Sequence, residues 1–145
     1  MIRQPLQAIQ TLTVTATTSS STSFIAPNND YFSLVGKLSV TTLSGGTSPT
    51  LDVYVQTTDD GGTTWFDVAH FTQATGATAN PLWHILPNSQ AGSAGVGAVG
   101  DKTISANAAG VPILSRNIKI SYVYAGSPSA ANWTLTLYAH NQDKG

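Results

Sequence analysis

The three histidines, His70, His84 and His140, are the first candidates for catalytic or metal-binding chemistry in this sequence. None is spaced from another as zinc ligands are, and the chain has no cysteine. No serine lies in a nucleophile-elbow sequence, no Gly-rich loop leads into a nucleotide-binding helix, and no paired carboxylates suggest glycosidase chemistry. We therefore predict no catalytic residue, metal or cofactor. A Ser-His-Asp triad assembled from distant residues stays open as an alternative, because such triads are recognised by geometry.

The strongest local motif is the run from Thr58 to Trp65, Thr-Asp-Asp-Gly-Gly-Thr-Thr-Trp. It resembles the Asp-box turn of sialidase-like propellers, which repeat it in successive blades, whereas here it occurs once. Asp60 can accept backbone N–H groups across the loop, and Gly61 and Gly62 can supply positive φ angles. Trp65 is expected to pack under the turn. The motif predicts a structural turn and does not predict an activity.

Calcium binding is an alternative interpretation of the adjacent Asp59 and Asp60, because Asp52 and Asp67 lie on the flanking strands. Calcium takes several oxygen ligands, usually from a loop with regular ligand spacing. No loop here has that spacing, so the turn-forming role is preferred.

Aromatic side chains provide a second kind of candidate site. Tyr54 and Tyr138 fall on the faces of their strands opposite the apolar alternation, and Trp83 lies in a short apolar island. We predict that these three are contact residues. Aromatic residues on a sheet face can also bind sugars, so a carbohydrate-binding surface competes with simple packing.

Apolar residues alternate with polar ones in several segments, which is the pattern of half-buried strands. The strands predicted in this way are Thr11–Thr17, Tyr31–Thr42, Leu51–Gln56, Asn117–Ala125 and Asn132–His140. The segment Thr64–Thr72 is apolar on both faces and is expected to be central or covered on both sides. Sustained helical periodicity is absent. We predict an all-β fold, an antiparallel two-sheet sandwich or jelly roll.

Short connections rich in Gly, Asn, Asp and Pro separate the strands. Two of them predict antiparallel hairpins: Leu51–Thr57 with Thr64–Phe71, and Asn117–Ala125 with Asn132–His140.

The whole chain, residues 1–145, is expected to form one domain. Residues 1–10 are expected to form an N-terminal arm. Residues 73–112, which contain the Gly-rich run Ala91–Gly100, are expected to form a long loop or arm. Two apolar islands inside that region, Leu82–Leu86 and Val111–Leu114, are each expected to be a short strand or a contact segment.

Charged residues make up 9% of the chain, and the net charge is −1. An average soluble domain has about 25% charged residues. Without a Lys/Arg cluster, the chain has no electrostatic attraction to phosphate backbones, so nucleic acid is a poor candidate partner. No apolar run is long enough to cross a bilayer, and no apolar segment typical of a secretory signal follows the N-terminus.

The segment Leu51–Phe71, Leu-Asp-Val-Tyr-Val-Gln-Thr-Thr-Asp-Asp-Gly-Gly-Thr-Thr-Trp-Phe-Asp-Val-Ala-His-Phe, resembles a pattern in small β-rich virion proteins of tailed bacteriophages. The two segments Ile118–Tyr124 and Trp133–His140 fit the same type. Some of these proteins are head decoration or cement proteins. The resemblance implies a homotrimeric accessory protein on the capsid surface, with the major capsid protein as its partner and no catalytic residues.

The expected function is therefore that of a non-enzymatic capsid decoration or cement protein, made in the host cytoplasm and bridging capsid subunits. The alternative is a carbohydrate-binding or host-adhesion module of a phage tail or fibre. A hydrolase is the third possibility.

Overall fold

The computed structural model describes residues 7–25, 31–58, 60–86, 108–109 and 117–141. These residues contain nine β-strands and no helix. The strands are β1 (Gln7–Val14), β2 (Ser20–Ile25), β3 (Tyr31–Ser44), β4 (Thr50–Thr57), β5 (Phe66–His70), β6 (Leu82–Leu86), β7 (Ala108–Ala109), β8 (Asn117–Ala125) and β9 (Ala130–Asn141). The predicted all-β class is confirmed.

The strands form two antiparallel sheets. Sheet 1 has the order β1-β9-β3-β6, and sheet 2 has the order β2-β8-β4-β5-β7. If the two-residue β7 is set aside, eight strands remain. Each sheet then alternates strands from the two halves of the chain, which is the strand order of a jelly roll. Of the two architectures predicted from the sequence, this topology selects the jelly roll.

The core lies between the sheets and is built from the inward faces of the alternating strands. Trp133 is at its centre, fully buried, with its ring edge-on to Tyr122 at a centroid distance of 5.0 Å. The other large side chains with almost no exposure are Leu38, Val40, Leu51, Phe71, Ile118, Ile120, Leu135 and Leu137. Full burial of one such side chain contributes about 1.5–3 kcal/mol relative to exposure. The core therefore supplies the main stabilisation of the fold.

The predicted hairpin of β4 with β5 is confirmed, and a register shift lies between Val55 and Gln56. The predicted hairpin of β8 with β9 is wrong. β8 pairs with β2 and β4 in sheet 2, whereas β9 pairs with β1 and β3 in sheet 1. The short connection between them crosses from one sheet to the other. Such an arch brings the apolar faces of both strands against each other, whereas a hairpin would leave them side by side.

A second arch, between β3 and β4, stacks on this one. The Thr47 N–H donates to the Gly126 carbonyl at 2.8 Å, and the Ser129 N–H donates to the Ser44 carbonyl at 3.0 Å. Gly126 has a φ of 73°, and a Cβ added there would lie 2.2 Å from the Thr47 carbonyl oxygen. Glycine is therefore required at Gly126 both by the backbone conformation and by the close approach of the other arch.

The predicted N-terminal arm over residues 1–10 needs correction. Gln7–Gln10 belong to β1 and pair with β9, while residues 1–6 lie outside the described part of the chain. In the region 73–112, Ala74 bridges to Leu51, Leu82–Leu86 form β6, and Ala108–Ala109 form β7. The Gly-rich run and the island Val111–Leu114 lie outside the described residues.

Candidate functional site

The predicted Asp60 turn closes the β4–β5 hairpin. One carboxylate oxygen of Asp60 accepts three hydrogen bonds, from the Thr58 hydroxyl at 2.7 Å, the Thr63 N–H at 2.9 Å and the Thr64 N–H at 2.8 Å. The Thr58 hydroxyl oxygen accepts the Gly62 N–H at 3.1 Å. Gly61 and Gly62 have φ angles of 74° and 102°, the positive values expected of them.

These hydrogen bonds determine the electrostatics of the Asp60 carboxylate. The Thr64 N–H makes the largest contribution and, together with the Thr64 and Thr58 hydroxyls, holds the pKa of Asp60 well below its ordinary value. The bonds thus stabilise the ionised carboxylate. Within the described residues no three His, Cys, Asp or Glu side chains converge as metal ligands, and Asp59 lies outside those residues. The geometry at Asp60 is that of a structural turn.

Trp65 is attached to the same turn. Its indole N–H donates to the Gly62 carbonyl at 3.0 Å, and the ring is half-buried. The Lys119 ammonium lies 4.6 Å from the ring centroid, at cation–π distance. Lys119 lies on β8, opposite Ser23 of β2 and Gln56 of β4, so the contact ties the turn to the strands of sheet 2.

A groove of about 380 Å³ lies beside this turn and the end of β2. Ile25 is the large apolar side chain with the greatest exposure, 68%, among those described. The described residues that line the groove include no acid and no histidine. They are Ser23, Phe24, Ile25, Gly61, Gly62, Trp65 and Asn117. The groove combines an indole and two apolar side chains with a few hydrogen-bonding groups.

His70 belongs to a separate polar cluster on the outward face of sheet 2. Its Nε2 lies 2.8 Å from an Asp52 carboxylate oxygen, and the Gln73 side-chain amide donates to the other oxygen at 2.8 Å. The Tyr54 ring stacks on the imidazole at 4.0 Å. Burial first, and then the negative charges of Asp52 and Asp67, raise the pKa of the Tyr54 hydroxyl above its ordinary value. The cluster joins neighbouring strands β4 and β5.

A second polar group continues this cluster toward β8. The Ser121 hydroxyl donates to the Gln56 side-chain oxygen at 2.7 Å, and the Gln56 amide donates to Asp67 at 2.7 Å. All three side chains are fully buried. The Ser121 hydroxyl is thus bonded to an amide and not to His70, so these residues do not form a Ser-His-Asp triad. Sequence reasoning missed Gln56 and Ser121, because their strand alternation places them on the face expected to be solvated.

The three predicted contact residues do not form one surface. Tyr54 is only 8% exposed and stacked on His70, so little of its side chain is accessible to a partner. Tyr138 is half-buried on β9 of sheet 1, opposite Val35 and Ala8. The Trp83 backbone pairs with Lys37 in sheet 1, and its side chain is not among those described. The aromatic platform expected from the sequence is therefore divided between two sheets.

The fold places the chain in the class of jelly-roll domains. Comparison with known protein families, curated proteins and solved structures found no match. No helix long and apolar enough to cross a membrane occurs in the described residues.

Proposed function

We propose that the protein is a non-enzymatic structural protein of a virion, a decoration or cement protein that binds the major capsid protein. The sequence resemblance to small phage virion proteins supports this proposal. The structural observation that carries it is a hydroxyl-rich outer face on sheet 1.

This threonine face is formed by Thr11 and Thr13 of β1 with Thr134 and Thr136 of β9. The Thr11 and Thr136 hydroxyls lie 3.4 Å apart, and those of Thr13 and Thr134 lie 3.2 Å apart. These pairs are cross-strand neighbours, and their hydrogen bonds are exposed. Hydroxyls can both donate and accept, so these threonines can bind another protein through neutral hydrogen bonds.

Low charge and a rigid framework suit an adhesive role. Lys37, opposite Thr136 on β3, is the nearest charged residue of the described outer face of sheet 1. The stacked arches link the two connections between the sheets, and the buried polar clusters join β4, β5 and β8 within sheet 2. A framework braced in this way loses little conformational entropy on binding. Each bound copy stabilises the assembled shell by mass action, because it binds capsid subunits only where they are assembled.

The experiment is binding of the purified protein to capsids that lack it. The double variant Thr11→Lys/Thr13→Lys adds two positive charges to the threonine face. Thr72→Lys/Thr75→Lys, at two exposed residues outside that face, is the matched control. We expect binding to fall at least about tenfold for the first variant, a loss of about 1.4 kcal/mol, and to be unchanged for the second.

Capsid stability provides the second measurement. Capsids without the protein should release their genome at a lower temperature than capsids carrying it. Equal release temperatures would refute the cement role, and binding that the Thr11→Lys/Thr13→Lys variant retains in full would refute the threonine face as the contact.

The groove at Trp65 supports a second candidate, a carbohydrate-binding or host-adhesion module. A half-buried indole beside the Ser23 hydroxyl and the Asn117 amide is a combination that sugar sites use. A glycan array distinguishes the two functions: binding that Asn117→Ala abolishes would support this candidate, and an array without binding would remove it.

A further inference from the structure

Among the described residues, strand β2 is the last strand of sheet 2, and its outer edge pairs with none of them. It pairs with β8 along its inner edge over all six residues, Ser20–Ile25, without a register shift. No described strand pairs with its other edge, and every β2 side chain except Phe24 is exposed. An open edge presents unpaired backbone N–H and C=O groups to solvent, which a further strand can bind.

The devices that normally protect an open edge are missing from β2. Proteins block such edges with charged residues, proline, bulges or very short strands. The sequence from Gln4 to Asn29 contains no charged residue and no histidine, and β2 contains no proline. The opposite edge of the same sheet is β7, which has only two residues.

The apolar core is also incompletely covered on this side of the sandwich. β1, the terminal strand of sheet 1, lies on the same side as β2, since their neighbours β9 and β8 face each other through Trp133 and Tyr122. Ile9, Leu12 and Phe24 on these two strands pack against the core but remain only partly buried. Ile25 at the end of β2 is exposed.

We propose that β2 pairs antiparallel with β2 of a second copy about a two-fold axis, which joins two copies of sheet 2 into one continuous sheet. Antiparallel strands are self-complementary about such an axis, because each copy presents the same donors and acceptors to the other. Two uncharged edges approach without repulsion. The partner also covers the side on which the core is partly open.

The symmetry determines which residues meet. The axis is perpendicular to the sheet, so residues directly opposite each other must come from the same face of β2. The residue at the axis then lies opposite the same residue of the second copy. The middle of β2 is Thr22–Ser23, so the axis passes through one of these two residues.

Single-cysteine variants test this directly, because the natural chain contains no cysteine. Cα atoms directly opposite in an antiparallel pair lie about 4.5–5.5 Å apart, within the range of a disulfide. Either Thr22→Cys or Ser23→Cys should form a disulfide-linked dimer under mild oxidation. Thr72→Cys, at an exposed residue outside β2, is the control and should remain uncrosslinked.

Sedimentation of the unmodified protein gives the second readout. The mean mass should rise with concentration toward twice the 15.1 kDa of one chain. The variant Ser21→Lys/Ser23→Lys places like charges on the edge and should shift the dissociation constant upward at least about tenfold, whereas Thr72→Lys/Thr75→Lys should leave it unchanged.

A chain that stays monomeric at every concentration would overturn the pairing, as would a trimer in which neither cysteine variant crosslinks. Both experiments use the purified protein without capsids. Failure of the β2 contact is therefore distinguishable from failure of capsid binding, which is measured through the threonine face.

Discussion

Removing the hydroxyl of Tyr124 should measure how much its hydrogen bond to Trp133 stabilises the core. The indole N–H of Trp133 donates to the Tyr124 hydroxyl oxygen at 2.7 Å, and that hydroxyl donates to the Ala16 carbonyl at 3.0 Å. Trp133 is fully buried, so its N–H depends on this partner. The variant Tyr124→Phe keeps the ring and deletes only the hydrogen-bonding atom.

The magnitude follows from the burial of the two groups that lose a partner. An unpaired buried N–H costs about 1–3 kcal/mol. The hydrogen bond from Tyr124 to the Ala16 carbonyl is exposed. Water can replace it in the variant, so the loss of this bond adds only about 0.5 kcal/mol. We expect a decrease of about 1.5–3.5 kcal/mol in the free energy of unfolding, which corresponds to about 3–14 °C in melting temperature for a chain of this size.

Urea unfolding followed by circular dichroism measures this difference. Tyr122→Phe is the matched control, because the Tyr122 ring contacts Trp133 while its hydroxyl makes no hydrogen bond with the described residues. The control should change stability by less than about 0.5 kcal/mol. An equal loss of unfolding free energy in Tyr124→Phe and Tyr122→Phe would show that the Trp133–Tyr124 hydrogen bond does not account for the destabilisation.

Three other substitutions test the turns and the buried polar cluster. Gly126→Ala should destabilise the protein by more than about 2 kcal/mol, because the added Cβ clashes with the other arch and the positive φ is strained for alanine. Gly61 is the control, since its φ is similar and an added Cβ would have no neighbour within 4 Å. Gly61→Ala should therefore cost only the backbone strain, about 1–2 kcal/mol. Equal losses in urea unfolding would contradict the stacked arches. The pKa of Asp60 is lower in the folded chain than its ordinary 3.8, so the carboxylate stabilises the fold above about pH 4 and this contribution is lost as the pH falls further. Asp60→Asn should therefore flatten the fall in melting temperature below pH 4, and an unchanged acid profile would exclude the turn as its source. Gln56→Leu should cost about 2–3 kcal/mol of stability, since it removes a hydrogen bond from each of two fully buried partners, Ser121 and Asp67. Gln73→Leu removes an exposed hydrogen bond and should cost less than about 1 kcal/mol. Equal unfolding midpoints for the two variants would contradict this difference.

Local sequence patterns were sufficient for most of the strands and for the Asp60 turn, although β2 (Ser20–Ile25) was not among the predicted strands. Alternation of period two identifies which residues face the core, as Leu135 and Leu137 do, because side chains of a strand point to opposite faces in turn. The turn at Asp60 is equally local. Its donors and acceptors lie within six residues of one another, so their types and spacing determine the hydrogen bonds.

The contact residues were harder to predict, because exposure depends on more than the face of a strand. Alternation correctly places Tyr54 on the outward face of sheet 2, yet the residue is buried against His70. The same reasoning missed the Gln56–Ser121 bond, which joins residues 65 positions apart in the chain. No local pattern encodes whether the outward face of a sheet is covered.

The sequence by itself determined an all-β chain of alternating strands, low in charge, with one well-defined turn. The sequence also predicted the pairing of β4 with β5, and only the tertiary structure decided how the other strands pair. The connection between β8 and β9 is short enough for a hairpin or for an arch, and the choice depends on burying Ile118, Ile120 and Tyr122 against the facing residues of β9. That burial is a property of two sheets packed together, because neither strand can cover its own apolar face.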